Sequence, residues 1–335
     1  MTHPLFGRKG AGALALLVAV MLPLLSGDRY LLHVASLIGT YWVLIIGLNL
    51  IVGYMGQLSV GHVGLFAIGA YTVAIGSGVH GLSPELALVI AGVLGALCGF
   101  VLGVPSLRLP GFYFAMTTLG LSLIVGEVLV AQRDVTGGGA GLPVPGFSGP
   151  LATPSGLYLL VVGVAALISL VSWNITRLMW GRAMVSIRDS SVAAAAIGVP
   201  AGRVKLTLFT FSGFTAGVAG ALFGALQSYV TPETFHFDLG LFFFICIVIG
   251  GKGSILGPFL GTVVLTLLPE VSASFAVVGH FLYALVLLFV VLLVPDGISS
   301  VLRWLIERFW PRPNPPTHRQ LDLPLLASAL RSPGS

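Results

Sequence analysis

The sequence predicts an all-α fold, a polytopic transmembrane bundle of roughly eight to ten membrane segments. Three observations lead there. Of the 335 residues, 56% are hydrophobic and only 8% charged, with a mean hydropathy of +1.04, whereas soluble domains carry about a quarter charged residues. Apolar runs of about 20 residues, enough to cross a bilayer as a helix, recur along the chain. The 45 glycines suit closely packed membrane helices better than a soluble core.

The segments follow in order. Arg8 and Lys9 precede an apolar run from Ala11 to Leu25. No small-x-small cleavage site follows, so the run reads as an uncleaved first span at about 11–27. Further spans are expected at 30–52, 62–79, 85–104, 111–131, 156–174, 206–226 and 278–294. Two shorter runs, 239–250 and 254–269, flank Gly250-Gly251-Lys252-Gly253-Ser254. They form two short spans or one re-entrant hairpin, and both leave the chain on the same side. The membrane domain therefore covers 1–310. The segment 311–335 opens with PRPNPPTHRQ, which cannot bury a core and reads as a flexible cytoplasmic tail.

Charge fixes the orientation. With a cytoplasmic amino terminus, span counting places Arg108, the 177–205 loop and the tail with Arg303, Arg308 and Arg312 inside. The outer segments Asp28–Arg29, His80–Glu85, Gln132–Ser155 and Gln227–Asp238 hold two basic residues against five acids. That is the positive-inside pattern, with both termini cytoplasmic. It also accounts for the net charge of +5 without nucleic acid, since no aromatic-basic ladder accompanies the basic residues. Cys98 and Cys246 lie in apolar runs and read as lipid-embedded thiols.

Polar residues mark the candidate sites. The loop 177–205 holds Arg177, Arg182, Arg188, Arg203 and Lys205 with a single acid, Asp189. A helix beginning at Ala183 or Ser190 runs through Ile197 and stops at Gly198, two residues before Pro200. The run Ala193–Ala196 gives it a thin face, with Ala193 and Ala194 facing a groove and Arg188 and Asp189 at the rim. The alternative is a solvated connecting loop.

Asn49, Gln57, Ser59 and His62 interrupt the second and third apolar runs together with Gly53, Gly56 and Gly61. Such breaks line translocation pathways or bond to neighbouring helices. Thr117 and Thr118 lie deeper in the 111–131 run, and Glu127 near its outer end; Glu127 either lines a pathway or snorkels to the surface. The loop 136–146, TGGGAGLPVPG, folds over the outer mouth or meets a soluble partner. Gly95, Gly99 and Gly103 form a small-residue ridge. Gly213 with Gly217, Gly220 with Gly224, and Gly257 with Gly261 form others, for packing within this chain or against another subunit. In Gly251-Lys252-Gly253-Ser254 glycine follows the lysine, so it is no nucleotide-binding loop. No catalytic constellation and no set of metal ligands around His62 is visible, which points away from an enzyme and from a cofactor on this chain.

Several ordered motifs carry a resemblance. GLNLIVGYMGQLSVGHVGLFAIGAY (47–71), TGGGAGL (136–142), GRAMVSIRDSSVAAAAIGV (181–199), VIGGKGSILGPFLGTVVLTLLPE (248–270) and VPDGI (294–298) resemble the LivM-type permeases of branched-chain amino-acid ABC importers. The match runs over about 40–300. It implies a permease subunit in the bacterial inner membrane, paired with a homologous LivH-type permease. Two cytoplasmic ATPase subunits, which bind ATP and Mg, and a periplasmic binding protein complete such an importer. Asp189, Ala193, Ala194 and Gly198 correspond to its ATPase coupling loop, with Arg182 and Arg188 alongside. Substrate would pass between the two permeases. Leucine, isoleucine and valine are the usual cargo; other neutral amino acids, amides and urea are carried by related systems. Asp189 stands where many ABC permeases have Glu, and Lys252 where an apolar residue is usual. A self-contained ion-coupled carrier is the alternative, and it would need buried acids and an internal repeat.

Overall fold

The computed structural model describes residues 21–272, except Leu22, Pro110 and Lys252. The expected span at 278–294, the 311–335 tail and most of the span at 11–27 lie outside the described residues. Seven helical stretches among those described are long and apolar enough to cross a membrane. The helices are α1 (Arg29–Asn49), α2 (His62–Val73), α3 (Pro84–Gly103), α4 (Gly111–Ala131), α5 (Arg133–Thr136) and α6 (Pro154–Arg177). The short α7 (Met179–Asp189) and α8 (Ser191–Ala196) precede α9 (Ala201–Gln227), α10 (Phe237–Gly250) and α11 (Leu256–Ser272). Two of them end in π-helical turns, α1 over Leu50–Tyr54 and α2 over Ala74–Val79.

Local chemistry sets the starts. Asp28 accepts from Tyr30 N at 2.9 Å to cap α1. Ser83 and Thr153 cap α3 and α6, each followed by proline at the first helical position. Proline there gives up an amide that would have no helical partner.

The bundle is built around α9, which packs on α3, α2 and α1. Glycine makes this possible. A β-carbon on Gly99 would lie 2.8 Å from Gly213 Cα, and one on Gly95 2.8 Å from Gly217 Cα, so the two backbones touch. On its other side α9 meets α2, where a β-carbon on Gly220 would run into the Phe66 carbonyl. Gly257 and Gly261 likewise lie against Gly250 and Cys246 in the α10–α11 hairpin. These ridges are therefore spent inside this chain. Next to the seam, Tyr41, Phe66, Phe223, Phe235 and Phe243 form an aromatic cluster with ring centroids 5.1–6.3 Å apart. Each favourable ring pair adds about 0.5–1.5 kcal/mol beyond area burial. Outside this centre α6 covers α1, with Trp42 Nε1 donating to Ser169 Oγ at 2.9 Å.

The helices define two ends. At the cap end the strands β1 (Leu142–Pro143) and β2 (Tyr229–Val230) pair antiparallel. Val144 N donates to Ser228 O at 2.9 Å, Tyr229 Oη to Ala140 O at 2.6 Å and Ser148 N to Glu85 Oε1 at 2.9 Å. The glycine-rich loop thus folds over its own bundle. The opposite, basic end carries α7 and α8. Pro232–Gly250 runs from the cap end to the basic end, where the chain turns, and α11 packs back against α10. Within 239–269 the first run is part of a stretch long enough to cross a membrane, and the second is a shorter apolar helix packed against it.

Candidate functional site

At the basic end α1 and α2 do not join through a surface loop. The α1 backbone widens into the π-turn, Met55 N bonding Leu50 O at 3.1 Å, and then breaks over residues 55–61 before α2 begins. This irregular backbone lies within the bundle. A β-carbon on Gly61 would collide with the Thr118 carbonyl, seven residues and about 10 Å into α4. Non-helical backbone at such depth needs protein partners for its polar groups. They are present. Ser59 Oγ and His62 Nδ1 are 2.9 Å apart, and His62 Nε2 and Ser212 Oγ are 2.8 Å apart. Val60 N donates to Thr118 Oγ1 at 3.2 Å, and Gln57 Nε2 to Ser106 O at 3.4 Å. Ser106 O also accepts from Lys205 Nζ at 3.1 Å. Asn49 Nδ2 donates to Ser254 O at 2.9 Å, which ties the end of α1 to the α10–α11 turn. His62 is fully buried with both ring nitrogens engaged by hydroxyls, and no group of three potential metal ligands occurs among the described residues.

The basic island is two helices rather than one. α7 is seated by Gly181, Met184 and Ile187, which are buried. Arg188 and Asp189 lie at its end, with Arg188 Nε 3.3 Å from Asp189 Oδ1 and both side chains well exposed. Ser190 is extended and caps α8, its hydroxyl accepting from Ala193 N at 3.2 Å. The restart comes from this cap, which turns the chain between Asp189 and Ser191. Of α8 only Ala194 is buried. Val192 and Ile197 are 80% and 76% exposed, beside Ala193, Ala195 and Ala196. α8 stops where Gly198 takes φ +83°, with Gly198 N bonded to Ala195 O and Val199 N to Ala194 O. The product is a small apolar knob projecting from the basic end, with Arg182 exposed nearby.

The chain matches a protein family described as the permease component of the branched-chain amino acid transport system over residues 30–294. It belongs to that family. The high-affinity branched-chain amino acid permease LivM of Escherichia coli (strain K12) is 33% identical over 315 residues, 86% of this chain and 74% of that protein. The autoinducer 2 import permease LsrC of Enterobacter sp. (strain 638) is 30% identical, covering 69% of this chain and 68% of its own. The branched-chain amino acid permease LivH of Salmonella typhimurium is 24% identical over 77% of this chain and 91% of its own. No solved structure matches significantly.

In this permease the predicted site residues fall into three groups. Asn49, Gln57, Ser59, His62 and Thr118 come together around the break and bond to neighbouring helices. Arg188, Asp189, Ala193, Ala194 and Gly198 come together in the island, with Arg182 exposed on α7. Thr117 and Glu127 join neither group: both are on α4, where Thr117 donates to Tyr113 O at 2.9 Å and Glu127 is exposed. Sequence reasoning missed Ser106, Ser212 and Ser254 as partners of the break, and it placed Lys205 only among the basic residues of the loop. Their partners lie 49 to 205 residues away along the chain, and no local pattern signals such a pairing.

Proposed function

We propose that this permease is the membrane-spanning subunit of an ATP-driven importer for branched-chain or other neutral amino acids, and that α8 is its ATPase contact. The observation that carries the reading is the exposed knob Val192–Ile197 at the basic end. A short helix presenting alanines between two larger apolar side chains suits a groove on a soluble partner. The orientation follows from charge: Arg177, Arg182, Arg188, Arg203 and Lys205 gather at one end, while Asp28, Glu85, Asp134, Glu233 and Asp238 are at the other. We therefore assign the basic end to the cytoplasm.

The partners would be a second, homologous permease, two ATPase subunits and an extracytoplasmic binding protein. ATP and Mg would bind on the ATPase subunits. The path for substrate would run between the two permeases. α3, α4 and α6 leave large apolar faces uncovered, including Val89, Leu97, Ile124 and Leu167. Glu127 interrupts the α4 face, and a carboxylate facing lipid is costly, so this face suits a wet path or the partner permease better. An ion-coupled carrier fits less well, because no carboxylate is buried among the described side chains.

The test is coexpression with the adjacent permease, ATPase and binding-protein genes, followed by purification through this chain. Recovery of the ATPase subunits, with ATP-dependent leucine uptake after reconstitution, is expected. Repeated recovery of this chain alone, with ion-driven uptake, would overturn the proposal.

A further inference from the structure

One side chain links the island to the break. Arg188 leaves the last turn of α7 next to the Ser190 joint that carries α8. Its stem crosses Gly56, where a β-carbon would fall 2.5 Å from Arg188 Cγ and 3.2 Å from Cδ. Gly56 has φ +72°, so glycine is favoured there both by the backbone and by the arginine lying on it. The guanidinium continues to Gly53 O at 3.5 Å. It also passes Gly253 in the α10–α11 turn, where a β-carbon would be 3.8 Å from the same guanidinium nitrogen. Arg188 therefore touches the break at Gly53 and Gly56 and ends close to Gly253, about 200 residues away in sequence; Gly56 and Gly253 are both left-handed glycines.

The receiving segment is suited to moving. It follows a π-turn, a geometry less favourable than the α-helix and frequent at functional sites. Asn49 Oδ1 and Gln57 Oε1 are buried there without a hydrogen-bond partner among the described residues.

Resting on the importer reading above, we propose that Arg188 is the positioning residue through which movement of α8 reaches the broken helix between α1 and α2. The route is packing rather than charge. An N···O distance of 3.5 Å is at the limit of a hydrogen bond and the side chain is 41% exposed, whereas the stem is in direct contact with Gly56. A displacement of the α7–α8 joint pushes the stem against backbone that has no side chain to yield. It thereby shifts residues 53–57 together with Gln57, whose amide holds Ser106.

The experiment uses the whole importer in proteoliposomes, with uptake and ATP hydrolysis measured together for wild type, Arg188→Ala and Arg188→Met. Met keeps an unbranched stem and discards the charge. Arg188→Ala is expected to keep its ATPase subunits through purification while uptake per ATP falls about tenfold, within the range of ordinary site-to-site coupling. Arg188→Met is expected to restore most of that ratio. Three results would overturn the inference: an unchanged ratio in Arg188→Ala, loss of ATPase subunits from that variant, or a Met variant as poor as the Ala one. The second would make Arg188 a docking contact instead. Absence of ATP-driven uptake in the wild-type assembly would remove the transport reading itself, and this inference with it.

Discussion

Replacing Gly213 with Ala adds one methyl group where two helix backbones are already in contact. The new β-carbon would lie 2.7 Å from Gly99 Cα and 3.0 Å from Gly99 N, and against the Gly95 carbonyl. Carbon atoms in ordinary contact are about 3.5–4.0 Å apart, so α9 must withdraw from α3 by about 1 Å. A β-carbon has no rotamer by which to escape, and the obstructing atoms are backbone. A gap of about 1 Å forfeits up to about half of the dispersion energy of each facing pair along the seam. Overpacking of this kind costs about 1–3 kcal/mol. The control is Gly163→Ala on the exposed side of α6, where nothing lies within 4 Å of the new atom. That change should be neutral or stabilise by up to about 1 kcal/mol, since alanine is the better helix former. Thermal unfolding of both variants in mild detergent is the assay. A midpoint several degrees lower for Gly213→Ala, and not for Gly163→Ala, is expected. Equal midpoints would refute the backbone contact between α3 and α9.

Other outcomes follow from the sites. His62→Ala removes the partner of two buried hydroxyls and leaves a void, so it should destabilise the permease by about 2–4 kcal/mol; detergent unfolding would show it, and an unshifted midpoint would mean that Ser59 and Ser212 do not depend on the ring. Gly198→Val forces a β-branched residue into a left-handed turn at the end of α8 and should lower recovery of the ATPase subunits without reducing membrane insertion; undiminished copurification would remove α8 from the interface. Asp189→Lys should weaken the same association in a salt-dependent way, as exposed charges do, and equal recovery at low salt would show the carboxylate to be incidental. Glu127→Gln should reduce uptake with assembly intact if α4 borders the path, and uptake equal to wild type would place Glu127 outside it.

Hydropathy located most of the described spans because their ends coincide with polar caps: Ser83 before Pro84 and Thr153 before Pro154 mark the starts of α3 and α6 within two residues of expectation. It failed at α9, expected from 206 and observed from Ala201. Arg203 and Lys205 end an apolar run without ending a helix, and Lys205 finds a carbonyl acceptor at Ser106. The break was legible from its glycines and polar residues. Its wiring was not, because hydrogen bonds such as Asn49 to Ser254 depend on which helices become neighbours. The island was legible as a helix ending at Gly198 with Ser190 as one of two possible starts, but the separate helix Met179–Asp189 before it was not. A serine in a helical pattern signals a cap only where the backbone turns.

The small-residue seams have a mechanical consequence. Where α9 meets α2 and α3 at backbone distance, carbonyl oxygens of one helix lie against glycines of the other and no side-chain layer is left to act as a bearing, so sliding by a fraction of a turn would bring those carbonyls against residues that are not glycine. The centre of this subunit is a keyed joint. Motion large enough to open a route for an amino acid has to be taken up at the subunit's outer walls and at the hinge-like break beside Arg188, with the keyed centre carried along as one piece.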